Sequence, residues 1–259
     1  MGEFKKEVSS IMRRLERLAN SRNVDGMARF GINVRHALGV PMPHLRSIAA
    51  EVGKDQRLSL KLWKTKIHEA RILAALIGDP SLVTERQMET WGSDFDSWDI
   101  CDQVCSNLFD RTPFAMKKSK EWSRRDEEFV KRGGFVLMAA MAVHDKKASD
   151  DDFIPFLTII KREAVDDRNF VKKAVNWALR QIGKRSPGLN RASVRTAKEI
   201  SDIGSRTARW IASDALRELT GDAVAKRFGR SNSVAPSPAR IRRQPGGGDS
   251  GKSYRRYPM

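Results

Sequence analysis

Cysteine is scarce in this chain of 259 residues, and the two that occur, Cys101 and Cys105, lie four apart in an apolar stripe. There they read as small core hydrophobes, and two thiols at that spacing make neither a disulfide framework nor a zinc site. Histidine is equally sparse. His36, His44, His68 and His144 are scattered, with no His-Glu-x-x-His and no cysteine partner, so neither a metal nor a cofactor is expected. No run of roughly 18 uninterrupted apolar residues occurs, which argues against a transmembrane helix. The N-terminus, MGEFKKEVSS, lacks the apolar core of a signal peptide. The expectation is a soluble cytoplasmic protein, nucleoid-associated if its source is a prokaryote. Both tyrosines, Tyr254 and Tyr257, fall in the last few residues.

Positive charge is what the chain has in excess: 49 Lys+Arg against 32 Asp+Glu, a formal net charge of +17 and a pI near 10.3. A surplus of this size favours an anionic partner, nucleic acid or a membrane surface. From Phe228 onward seven basic residues face Asp249 alone, so that segment carries +6 and the rest of the chain +11. The body is therefore basic by itself.

Almost every patterned segment has helical periodicity. Ile100, Cys101, Val104, Cys105 and Leu108 form one apolar stripe. Adding 37 gives Leu137, Met138, Met141 and Ala142; a second step gives Ala174, Val175, Ala178, Leu179 and Ile182; a third gives Ile211, Ala212, Ala215, Leu216 and Leu219. An earlier copy, Ile72 to Ile77, sits closer, 28 residues upstream of the first. A two-helix unit of this period buries its apolar face against its neighbours, which is the signature of an all-α solenoid of HEAT-like repeats. Gly78-Asp79-Pro80, Arg111-Thr112-Pro113, residues 148–152 and Ser186-Pro187-Gly188 mark the breaks, and Asp166-Asp167 reads as an acidic cap for the helix that follows. The repeat domain should span residues 1–226. Residues 227–259, rich in Ser, Pro, Gly and Arg, should form a disordered basic tail.

Trp177 stands out within this frame. On a helical wheel Val171, Ala174, Val175, Ala178, Leu179 and Ile182 make the apolar stripe, while Lys173, Trp177, Arg180 and Lys184 project from the opposite side. A large aromatic among cations, on the side a helix gives to water, suits a flat anionic polymer, so the solenoid should present a concave basic face. The alternative is a tryptophan buried by a neighbouring repeat. A second cluster, Phe95 to Asp102, holds three acids and two aromatics, and Trp98 and Asp102 share one patch of helix surface off the apolar stripe. The first-turn acids suit the helix dipole. Asp102, two turns in, fits that account less well; it is either a functional carboxylate or the partner of a neighbouring arginine.

Taken in order, Trp98-x-x-x-Asp102, then Phe129-Val130-Lys131-Arg132, then the run from Arg168 to Arg180 resemble the AlkD-type family of DNA alkylation repair proteins, HEAT-like DNA glycosylases, over roughly residues 25 to 220. A monomer is expected, and the resemblance implies that it holds double-stranded DNA on its basic face and hydrolyses the N-glycosidic bond of N3- or N7-alkylated purines without flipping the base. It implies Asp102 as the catalytic carboxylate, and Trp98, Trp177 and Arg132 at the lesion. Lys173, Arg180, Lys184 and Arg168 would contact the DNA backbone. Two further readings remain: a non-catalytic HEAT-repeat protein that recognises duplex shape or damage, and a protein-interaction scaffold. Salt-sensitive duplex binding separates the scaffold from the others, and base release separates enzyme from binder. Gly133-Gly134, directly after Arg132, either loosens a helix or marks a close helix crossing.

Overall fold

The computed structural model describes residues 2–229, and every regular element among them is helical. The N-terminal part comprises α1 (Gly2–Arg17), α2 (Ser21–Arg29) and α3 (Met42–Val52). Five helix pairs follow: α4 (Gln56–Lys64) with α5 (His68–Ile77), α6 (Glu85–Ser93) with α7 (Trp98–Asn107), α8 (Ala115–Trp122) with α9 (Glu128–His144), α10 (Asp150–Glu163) with α11 (Asn169–Gly183), and α12 (Pro187–Ser201) with α13 (Arg206–Leu219). A short α14 (Asp222–Arg227) packs on α13. Consecutive second helices, α5, α7, α9, α11 and α13, each touch the next, so they form one row, and their partners make up the other layer. This is the α-solenoid that the repeated stripe implies. Residues 230–259, nearly all of the expected tail, lie outside the described residues.

Each repeat stripe is buried where its period places it. Ile100, Cys101, Val104 and Cys105 of α7, Leu137 and Met138 of α9, Ala174, Val175, Ala178, Leu179 and Ile182 of α11, and Ile211, Ala212 and Ala215 of α13 all belong to one continuous core. A repeat cannot bury its stripe alone, and stacking supplies the missing side. Polar side chains fix where several helices begin. Asp55, Thr84, Ser186 and Ser205 each accept a backbone N–H from the first turn of α4, α6, α12 and α13, and Ser149 with Asp152 forms a capping box on α10. Such a cap contributes about 1 kcal/mol.

The acidic pair before α11 does something else. Arg168, not an aspartate, occupies the N-cap, and Asp166 instead binds Arg168 at 2.6 Å and Lys131 at 3.0 Å, holding α9 to the loop that precedes α11. Burial works against its charge, yet these cations carry the Asp166 carboxyl down to about 2. The glycine pair resolves as a close crossing. A Cβ on Gly134 would lie 2.6 Å from the backbone nitrogen of Ser123 and 2.9 Å from the carbonyl oxygen of Ser119, and one on Gly133 would lie 3.1 Å from the Trp122 ring. α9 approaches α8 so closely because neither residue has a side chain, and the helix stays regular through both.

Candidate nucleic-acid interface

Trp98 opens α7, and Asp102 follows one turn later on the same side. From the next helix in the row Arg132 meets Asp102 with two parallel bonds, Nε to Oδ1 and Nη2 to Oδ2, both 2.8 Å. Its remaining nitrogen, Nη1, donates to the Phe170 carbonyl at 2.6 Å, which ties α7, α9 and the first turn of α11 to one guanidinium. The same group lies 5.8 Å from the centre of the Trp98 ring. Trp98, Asp102 and Arg132, distant in sequence, are thus brought together. Trp98 is further fixed by its Nε1–H, which donates to the Phe30 carbonyl at 3.0 Å. Next to Phe30, Gly31 has φ +74° and rests against Phe170, where a Cβ would come within 2.8 Å of the ring.

Arg132 differs from its expected role. It is only 6% exposed, and all three nitrogens are engaged within the protein, so it does not face outward as a DNA contact. It fixes the aim of Asp102 instead. The Asp102 side chain keeps 18% of its surface. Burial pushes its carboxyl above the usual range, against the downward pull of Arg132. Each carboxylate oxygen accepts one N–H from Arg132 and so retains a lone pair for a water molecule or a cationic ligand.

The basic face of α11 divides in two. Lys173 lies within electrostatic reach of Arg132: burial, then the charges of Arg132 and Lys172, lower its pKa. Trp177 is partly buried and packs against the core, which lies between the open indole and the buried tryptophan that its position allowed. Arg180 and Lys184 turn toward α13, where Glu218 binds both, at 2.5 and 2.7 Å, and Asp214 lies 3.6 Å from Arg180. These two cations, expected at phosphates, are therefore largely neutralised within the protein. Arg168 is tied likewise to Asp166 and to the Asp126 carbonyl. Beyond Lys184, a concavity of about 390 Å³ is lined by Lys146, Gln181, Arg185, Arg227 and Asp150.

Several contributors escape a reading of α7 and α11 alone: the Phe30 carbonyl, Asp214 and Glu218. The last two had a signal in the repeat. Asn176 bonds Asp214 and Arg180 bonds Glu218, each 38 residues on, close to the period of the apolar stripe. The Phe30 contact spans 68 residues from an irregular loop and has no such signal. Asp99 also gains a partner, the buried His68, at 2.8 Å. Besides being an acid in the first turn of α7, it is part of the packing between α5 and α7.

A family model described as DNA alkylation repair enzyme matches residues 11–219. The chain belongs to the DNA alkylation repair enzyme family. Among solved structures this family member is similar to a protein described as belonging to "a new family of proteins related to the HEAT-like repeat DNA glycosylases with affinity for branched DNA structures". The two share 18% identity with a TM-score of 0.69, over 88% of this chain and 98% of the other, which establishes a common fold. No curated protein sequence gives a match. Among the described residues, no helix of this family member is long and apolar enough to cross a membrane, and no cluster of three metal-ligating side chains occurs.

Proposed function

We propose that this DNA alkylation repair protein binds double-stranded DNA along the α7–α9–α11 row and hydrolyses the N-glycosidic bond of N3- or N7-alkylated purines, with Asp102 as its one carboxylate. The observation that carries the reading is the Asp102 carboxylate, on a side chain that keeps 18% of its surface, held in a single orientation by Arg132 and bordered by the indole of Trp98. Alkylation makes the purine cationic, so the bond from C1′ to the base breaks with its electron pair going to a base that leaves neutral. No general acid is needed. Positive charge then develops on the sugar, where a fixed carboxylate stabilises it and can orient the water that adds to C1′ and gives up its proton to solvent. A cation beside Asp102 also favours its ionised form, offsetting the burial that raises its pKa in the free protein. Trp98 and Trp177 would hold the cationic nucleotide through their ring faces. No deep pocket is required if the lesion stays stacked in the duplex.

The test is incubation with a duplex containing N7-methylguanine, followed by detection of free base. Wild type should release it, and Asp102→Asn should do so at least about 10²-fold more slowly while still binding the duplex. Equal rates, or no release from any alkylated duplex, would overturn the catalytic reading. One observation favours the second reading, a non-catalytic binder of duplex DNA. Arg132 already balances the charge of Asp102, as expected of a structural pair. In that case affinity persists, salt-dependent, without base release.

A further inference from the structure

One tryptophan remains unused by this scheme. Trp63, Trp91 and Trp122 are buried in the core, and Trp98 and Trp177 belong to the proposed lesion site, whereas Trp210 on α13 is 42% exposed. Its place on the helix is informative. The stripe of α13 that faces the core is Ala208, Ile211, Ala212, Ala215 and Leu219, and Trp210 points away from it, on the side it shares with the exposed Arg206 and Arg217. Trp210 is 37 residues beyond Lys173, so it holds in its repeat the position that Lys173 holds on α11. The packing agrees: the Lys172 ammonium lies 5.8 Å from the centre of the Trp210 ring, one turn before the Asn176–Asp214 contact that joins the same two helices. The open face of the row therefore continues from Trp177 and Lys173 onto an exposed indole beside Lys172 and Arg206, while Arg217 is paired with Asp214.

We infer that Trp210, flanked by Lys172 and Arg206, is a stacking platform for an unpaired nucleobase next to the duplex held by α7–α11; the inference rests on the DNA-binding reading above. An indole face offers a phosphate little, because it has one N–H donor and no charge, but it matches the π-face of any base. The neighbouring cations suit the backbone on either side of that base. In an intact duplex the bases are already stacked on one another, so the platform acts only where pairing is interrupted, as at a flap, gap or branch. Neighbouring helices pack about 8–10 Å apart. At 3.4 Å per nucleotide step the platform lies roughly three nucleotides from the site on α11.

The experiment compares the affinity of the full chain for a plain duplex with that for the same duplex carrying a short unpaired flap, in wild type, Trp210→Ala and Trp210→Phe. Wild type should prefer the flapped DNA. Trp210→Ala should lose about tenfold on the flapped DNA and stay within about twofold on the plain duplex, and Trp210→Phe, which keeps a ring, should retain most of the preference. An unchanged ratio between the two DNAs in Trp210→Ala, or an equal loss on both, overturns the assignment of Trp210. Failure of wild type to bind either DNA overturns the DNA-binding reading itself.

Discussion

Replacing Asp102 by asparagine removes the carboxylate bound to Arg132 while keeping the shape of the side chain. The guanidinium, 6% exposed, then retains its bond to the Phe170 carbonyl but loses its counter-charge. Breaking a buried ion pair from one side costs about 3–5 kcal/mol. Because the Asp102 side chain keeps 18% of its surface, the lower end applies, about 3 kcal/mol. For a folded body of this size each kcal/mol moves the melting temperature by roughly 2–4 °C, so the expected fall is about 6–12 °C. Arg132→Met behaves differently. The carboxyl pKa is already raised by burial and rises further without the guanidinium, so at low pH the variant holds a neutral acid. A group whose pKa is raised on folding contributes stability at low pH that is lost as pH rises through the folded value. The deficit of Arg132→Met against wild type should therefore be small in acid and grow toward neutrality. The assay is thermal unfolding of wild type, both single variants and Asp102→Asn/Arg132→Met across pH. Coupling below about 0.5 kcal/mol at neutral pH would refute the pair as a structural unit.

Glu218→Gln should strengthen duplex binding and steepen the slope of log K against log salt by roughly 1 to 2, because it releases Lys184 and leaves Arg180 only the longer contact with Asp214, at about 0.9 per phosphate gained; a salt titration showing weaker binding would count against these cations at the interface. Gly134→Ala should destabilise by about 1–3 kcal/mol in chemical denaturation, since its Cβ meets backbone atoms of α8 that cannot rotate away. Asp99→Asn should lower stability by about 1.5–3 kcal/mol below neutral pH. Burial lowers the pKa of His68, but the Asp99 hydrogen bond and nearby carboxylates raise it above its usual value overall, so this contribution is present in mild acid and fades as pH rises through the folded pKa. Melting curves for Asp99→Asn that run parallel to wild type from mild acid to mildly basic pH would exclude it.

The sequence by itself determined the all-helical solenoid and the stripes that form its core. Burial against a neighbouring repeat needs only apolar residues recurring every three or four positions within a helix and again 37 residues on, and that pattern is local and redundant enough to read. It also made the Trp98–Asp102 patch and the basic face of α11 visible as candidates. Tertiary structure decided what those charges do. Whether Arg132, Arg180 and Lys184 reach solvent or a carboxylate depends on which groups the adjoining helix presents at the same height. A side chain holding a full charge takes the nearest opposite charge that burial leaves to it. The glycine pair follows the same logic: its composition allowed a loose helix or a tight crossing, and the presence of the α8 backbone within 3 Å selected the crossing. Trp177 and Trp210 show the limit most plainly, since the wheel gives both to the open face but only the packing of neighbouring helices sets one partly into the core and leaves the other exposed.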